Sequence, residues 1–338
     1  MVAQRNSYIT NHGEPKEFYK DFNELDGSKY FGKIDYLHYS PPCQEFSLAG
    51  NRGWLDTDKG NLMLTTIKNI NDSQPKMFTV ENVPGLLSSR DGEDWKEVLL
   101  AFKSLDGYTI SWHYLKAVDY GTPQTRERVF IVGFRGKCMP MTSPKKTKLD
   151  KNVLSILQNE DEVTDDFFVS DKRKLFIKDR VSKGRTIDAV QDLFKPCRTI
   201  TARDYKCPHT INLEQIGNID TKGHNSIWGR VYDTNGLAPT INAIGGGLGA
   251  KTGLFKMEDR IRCLTPRECA RLMGDFDDKF KFGDFLKSKL YEFIGNAIDI
   301  STMRALLLKM FEHAKTVEWN EPKRYEFKQK KPTQKTLF

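Results

Sequence analysis

Three short polar clusters carry the side chains that could do covalent chemistry. Cys43 follows Pro41-Pro42 and precedes Gln44, Glu81-Asn82 closes an apolar run, and Gln124, Arg126 and Arg128 alternate ahead of another. A cysteine, a carboxylic acid and a pair of arginines suit nucleophilic attack on an electron-poor ring. The thiolate would add to C6 of a pyrimidine, the acid would protonate or hydrogen-bond the ring nitrogen, and a guanidinium would hold the carbonyl oxygen. C5 then becomes nucleophilic enough to take a methyl group. Each residue alone has a plainer reading. A lone cysteine is usually a small buried hydrophobe, Glu-Asn at a strand end is often a turn, and arginines are often surface charges. Together, and in this order, they favour the chemical reading.

The elements around these clusters alternate. Residues 33–39 (KIDYLHY) read as a strand that runs straight into Pro42-Cys43-Gln44. Beyond Gly60, Leu62, Met63, Ile67 and Ile70 share one helical face, and residues 76–83 (KMFTVENV) read as a buried strand. Trp95, Val98, Leu99, Phe102 and Leu105 repeat with helical spacing, whereas Tyr108, Ile110, Trp112 and Tyr114 alternate as in a strand. Residues 129–134 (VFIVGF) form one more strand candidate. This alternation predicts an α/β sheet, and ligands of such sheets gather outside the carboxyl ends of the strands.

The character changes near Lys145. Acidic residues at 160–166 give way to a basic stretch from Lys172 to Arg185, then to loop-rich sequence containing the Gly-rich segment 242–253. That half reads as a second, irregular domain. Its GGGLGAKT resembles a phosphate-binding loop, but Ala250 puts Lys251 out of register, which excludes that reading. Thr265, Pro266 and Glu268 make a capping box, with Gly274 as the stop. A last helical pattern runs past Gly295-Asn296 through Ile298, Met303, Leu306, Leu307, Met310 and Phe311. After Ala314 the chain is polar, with seven Lys/Arg against three Glu, and reads as a mobile basic tail that stays off the body.

The 338 residues carry a net charge of +8, which suits a polyanionic partner. No apolar run approaches the roughly 20 residues of a membrane span, and no signal peptide is visible, so a cytoplasmic protein is expected. The six cysteines lack paired metal-ligand spacing, and no metal site is expected.

The blocks SPPCQEFSLAG, ENVPGLL, DYGTPQTRERVFIVGF, LTPRECARLMG and YEFIGNAI resemble, in order, the signature blocks of the cytosine-C5 DNA methyltransferases. The resemblance covers roughly residues 5–312. It implies a Rossmann-like methyltransferase domain that uses S-adenosylmethionine, over residues 1–144, and a smaller target-recognition domain with its hinge over 145–284. A helix at 285–314 would return to the catalytic domain, leaving 315–338 as tail. By resemblance, Cys43 is the nucleophile on C6, Glu81 contacts N3 and the exocyclic amine, Arg128 binds O2, and Arg126 supports the Cys43 loop. Asp21 and Phe22 match the pair at the adenine of the cofactor, and Leu62 and Asn296 match positions lining its pocket. Thr240, with Gly245, Gly246 and Gly247, matches the end of the recognition region, where glycines allow close approach to double-stranded DNA. The target base would be flipped out of the duplex.

Two departures matter. The family opens with a Phe-x-Gly-x-Gly turn and then an acidic residue that closes the second strand, and neither precedes Asp21. The expectation is therefore a catalytic domain lacking its first strand and glycine turn, which either an N-terminal fragment or second subunit supplies or a truncated gene leaves out. The alternative is a DNA-binding remnant without activity. A thymidylate-synthase-like enzyme, which also uses a cysteine on C6, is disfavoured by the long recognition segment and basic charge. The other departure is Gly274-Asp275-Phe276, where the family has an aromatic residue and then proline. Finally, Gln334, Leu337 and Phe338 have the spacing of the short peptide that docks on the bacterial sliding clamp, a further expected partner.

Overall fold

The computed structural model describes residues 2–41, 58–168, 215–218, 230–233, 254–257, 260–274 and 278–325. Two compact units divide the chain, one of residues 1–15, 116–126 and 146–305, the other of 16–115, 127–145 and 306–338. Helix α1 (Val2–His12) opens the first unit.

The second unit is built by the alternating signals between residues 33 and 137. In chain order these are β1 (Tyr36–Tyr39), α2 (Asp58–Ser73), β2 (Met77–Asn82), α3 (Gly85–Ser88), α4 (Glu93–Lys103), β3 (Tyr108–Lys116) and β4 (Glu127–Lys137). The strands lie in the order β1-β2-β4-β3, with β1 parallel to β2 and β4 antiparallel to it. Every residue of β2 is buried, as a central strand with both faces covered requires. Met63, Ile67 and Ile70 recur at intervals of four and three, so α2 presents them on one stripe. They pack with Phe78, Val80, Val98, Phe102 and Ile131 in one apolar cluster. Phe78 pairs across the ladder with Gly133, whose missing side chain leaves room for the ring.

Helix α4 starts under local strain. Arg90, Asp91 and Gly92 all have positive φ, which costs about 1–3 kcal/mol for each non-glycine residue. Ion pairs from Arg90 to Asp94 (2.6 Å) and Glu97 (3.0 Å) hold that turn, and Ser89 also hydrogen-bonds Asp94.

In the first unit, a four-stranded sheet stands where the sequence suggested irregular structure. Its strands are β5 (Gln215–Asn218), β6 (Arg230–Asp233), β7 (Leu254–Met257) and β8 (Arg260–Cys263), joined in that order with β6 and β7 parallel. Strands of only four residues leave little periodicity to read. Helix α5 (Pro266–Arg271) has the expected capping box: Glu268 N–H donates to Thr265 Oγ1 (3.2 Å) and Thr265 N–H to Glu268 Oε2 (2.7 Å). Gly274 ends that segment at φ +75°.

The last helical pattern is two helices, α6 (Lys287–Asn296) and α7 (Ile300–Ala314). The break falls at residues 297–299, and Asp299 caps α7, accepting from Thr302 N–H (2.7 Å) and Thr302 Oγ1 (2.6 Å). Ile298 therefore sits between helices rather than inside one.

The expectation of a tail that stays off the body is corrected for residues up to 325. Strand β9 (Glu318–Trp319) pairs with β4 through Gly136 and Lys137. Asn320 and Tyr325 are held by side chains or carbonyls at Gly107, Arg135 and Asn71, and the Arg324 guanidinium lies 4.7 Å from the Phe31 ring centroid. Polar composition misled here because main-chain hydrogen bonds to a sheet edge need no apolar side chains. Among the described residues, no helix is long and apolar enough to cross a membrane.

Candidate active site

Glu81 is the next-to-last residue of β2 and is only 6% exposed. Its register partner on β4 is Phe130, and the two-residue period of a strand puts Arg128 on the same face. The resulting ion pair joins Arg128 Nε to Glu81 Oε1 at 2.7 Å. On the other side Tyr39 pairs with Val80, so the next residue, Ser40, falls beside Glu81 and donates from Oγ to Oε2 at 2.5 Å. Asn82 makes a second tie to the same segment, donating from Nδ2 to the Pro41 carbonyl at 3.4 Å. The acid is thus held from both flanking strands, and the chain leaves it directly towards Pro42-Cys43.

One register step back, Thr79 Oγ1 lies 2.7 Å from His38 Nδ1 and 2.6 Å from the Tyr36 hydroxyl. Burial holds the His38 imidazole below the usual histidine range, while the nearby Glu81 carboxylate acts in the opposite sense. Burial also pushes the Tyr36 and Tyr39 hydroxyls up to about 12. Thr79, His38 and Tyr36 thus form a hydrogen-bonded row along the face that carries Glu81.

Asp21 caps a 3-10 turn by accepting from Asn23 N–H at 2.9 Å. That turn sets the Phe22 ring edge-on to Tyr39, with centroids 5.3 Å apart. Phe22 therefore stands against the strand that leads to Cys43. Leu62 is half-buried in the second turn of α2. Within the first unit, Arg126 donates from Nη2 to the carbonyls of Gly295 (3.2 Å) and Ala297 (2.5 Å), bracketing the exposed Asn296. Cys43, Thr240, Gly245, Gly246, Gly247, Gln334, Leu337 and Phe338 lie outside the described residues. The support expected from Arg126 for the Cys43 loop falls there too. Sequence reading missed Ser40, because its link to Glu81 depends on strand register.

The geometry therefore sets a buried acid–arginine pair at a strand end of an α/β unit. The solved DNMT2 of Spodoptera frugiperda superposes with a TM-score of 0.62 at 15% identity, covering 92% of this chain and 90% of that one. A putative DNA modification methyltransferase from an Escherichia coli prophage gives 0.59 at 19% identity, covering 92% and 90%. The model of the C-5 cytosine-specific DNA methylases matches residues 4–312, and the chain belongs to that family. Among its relatives, the type II methyltransferase M.HhaI of Haemophilus parahaemolyticus is 29% identical over 299 residues, 88% of this chain and 81% of that protein. An orphan methyltransferase of Bacillus phage rho11s is 28% identical, over 75% of this chain and 54% of that protein.

Proposed function

We propose that this chain methylates C5 of a cytosine flipped out of duplex DNA, through a covalent bond from Cys43 to C6. The observation that carries the reading is the buried Glu81 carboxylate, paired with Arg128 and tied, with its neighbour Asn82, to Ser40 and Pro41, which precede Pro42-Cys43 in sequence. Glu81 engages N3 and the exocyclic amine, and Arg128 holds O2, which draws electrons from the ring as the Cys43 thiolate adds to C6. The electron pair released to C5 takes the methyl group. Loss of the C5 proton to a solvent base then expels the thiolate and restores the ring. Reading of the target sequence falls to the region 145–284, where Thr240 and Gly245, Gly246 and Gly247 approach the duplex.

The residues expected at the methyl donor fit its adenosine half. The Phe22–Tyr39 ring pair offers an apolar aromatic surface, and Asp21 offers an acceptor for an amine. Leu62, half-buried on α2 of the same unit, is a third candidate. S-adenosylmethionine supplies the methyl group as an electrophile on a sulfonium. No Phe-x-Gly-x-Gly turn precedes Asp21 in this sequence, and among the described residues β1 pairs only with β2. An unpaired strand edge is a template for another strand. We infer that a segment carrying that turn, or a second polypeptide, pairs there and completes the donor pocket. The 338-residue chain alone should then bind S-adenosylmethionine weakly and transfer little methyl group to duplex DNA. Adding a fragment with the strand and glycine turn should raise both, read by calorimetry and by 5-methylcytosine formed. Full turnover by the chain alone refutes the need for that segment.

We also infer that Gln334, Leu337 and Phe338 dock on a bacterial sliding clamp, which would bring the enzyme to newly copied DNA. Two apolar side chains closing a basic peptide suit an apolar pocket with a polar rim. A peptide of residues 329–338 should bind the clamp at roughly micromolar strength, the range of short linear motifs. Leu337→Ala with Phe338→Ala should abolish that binding.

A further inference from the structure

Ser40 stands where two parts of the proposed mechanism meet. Its hydroxyl reaches Glu81 Oε2 at 2.5 Å, and only Pro41 and Pro42 separate it from Cys43. Ser40 is exposed, whereas Glu81 is buried, so the hydroxyl lies on the open side of the carboxylate. Arg128 already holds Oε1, which leaves Oε2 free to rotate away unless something holds it. A hydroxyl is a rare partner in one respect. It donates to a carboxylate and accepts from a carboxylic acid without moving.

We propose that Ser40 is a positioning residue for Glu81, keeping Oε2 aimed at the incoming base and fixing the acid relative to the end of β1. Because the hydroxyl serves both protonation states, the carboxyl group can exchange a proton with N3 while its orientation is kept. The register supports this assignment. Tyr39 opposite Val80 places Ser40 opposite Glu81, so the contact follows from strand pairing and not from a side chain reaching out of its way. The second tie, from Asn82 to the Pro41 carbonyl, holds the same stretch of backbone and keeps the serine in place. This role rests on the proposed Cys43 and Glu81 chemistry.

The test uses the full chain and a duplex carrying tritium at C5 of the target cytosine. Addition of Cys43 to C6, protonation at C5 and elimination release tritium to water, with no methyl donor consumed. Ser40→Ala should slow release at saturating DNA by about tenfold, the scale of one hydrogen bond to a charged group. Its dissociation constant for the duplex should stay within about twofold, since no DNA contact is removed. Ser40→Thr, which keeps the hydroxyl, should recover most of the rate. In a Glu81→Gln background, Ser40→Ala should cost much less than it does alone. Cys43→Ser serves as the blank, and its result reports on the nucleophile alone. Wild-type release by Ser40→Ala overturns the proposal, as does a Ser40→Thr variant as slow as alanine. So does an undiminished alanine effect in the Glu81→Gln background.

Discussion

Arg128→Met, assayed with the added fragment, should leave a folded protein whose kcat/KM for methyl transfer has fallen by roughly 10²–10³-fold, the range for loss of one positioned charge-stabilising donor. The side chains of Arg128 and Glu81 are 15% and 7% exposed. Removing one partner strands the other, and a buried charge left without its partner costs about 3 kcal/mol or more. Stability and activity should therefore separate in a double variant. Glu81→Gln with Arg128→Met carries no stranded charge, so its Tm should lie above that of Arg128→Met alone. Its activity should be no better, because both the donor to N3 and the grip on O2 are gone. Activity of Arg128→Met within a few-fold of wild type would remove Arg128 from the mechanism.

The second large effect is structural. A Cβ on Gly133 would lie 2.1, 2.4 and 2.8 Å from three atoms of the Phe78 ring. Phe78 is fully buried in the main core cluster, between α4 and the sheet, so the ring has nowhere to retreat. Gly133→Ala should cost about 3 kcal/mol, at the upper end for overpacking a core. For a unit of this size that lowers Tm by roughly 6–12 °C. Adding Phe78→Leu should return part of the loss by giving the new methyl group space. An unchanged Tm for Gly133→Ala would mean that the Phe78–Gly133 pairing is not tight.

Much of this was legible in the sequence, for reasons that differ by element. Met63, Ile67 and Ile70 announce α2 because a helix repeats every 3.6 residues, and Thr265-Pro266-Arg267-Glu268 announces α5 because capping chemistry is local. The pairing of Glu81 with Arg128 was half legible. Both residues were singled out, but that they share a face depends on β2 and β4 being antiparallel neighbours. Ser40 gave no signal at all, since nothing local marks a serine that register alone sets against an acid. The break between α6 and α7 was hidden because apolar residues continue across it, and the capping by Asp299 is visible only with Thr302 in place. The docking of residues 317–325 was hidden for the opposite reason. Main-chain pairing to β4 and a guanidinium over Phe31 hold a segment whose composition reads as solvent-exposed.

Everything proposed for the chemistry turns on Cys43. A duplex with 5-fluorocytosine at the target position blocks the final proton loss, so the adduct cannot resolve once C5 is methylated. With S-adenosylmethionine and the added fragment both present, the wild-type chain should form a denaturant-resistant complex with that duplex. Cys43→Ser should form none while still binding the DNA. Methylation of ordinary duplex by Cys43→Ser at the wild-type rate would contradict the account.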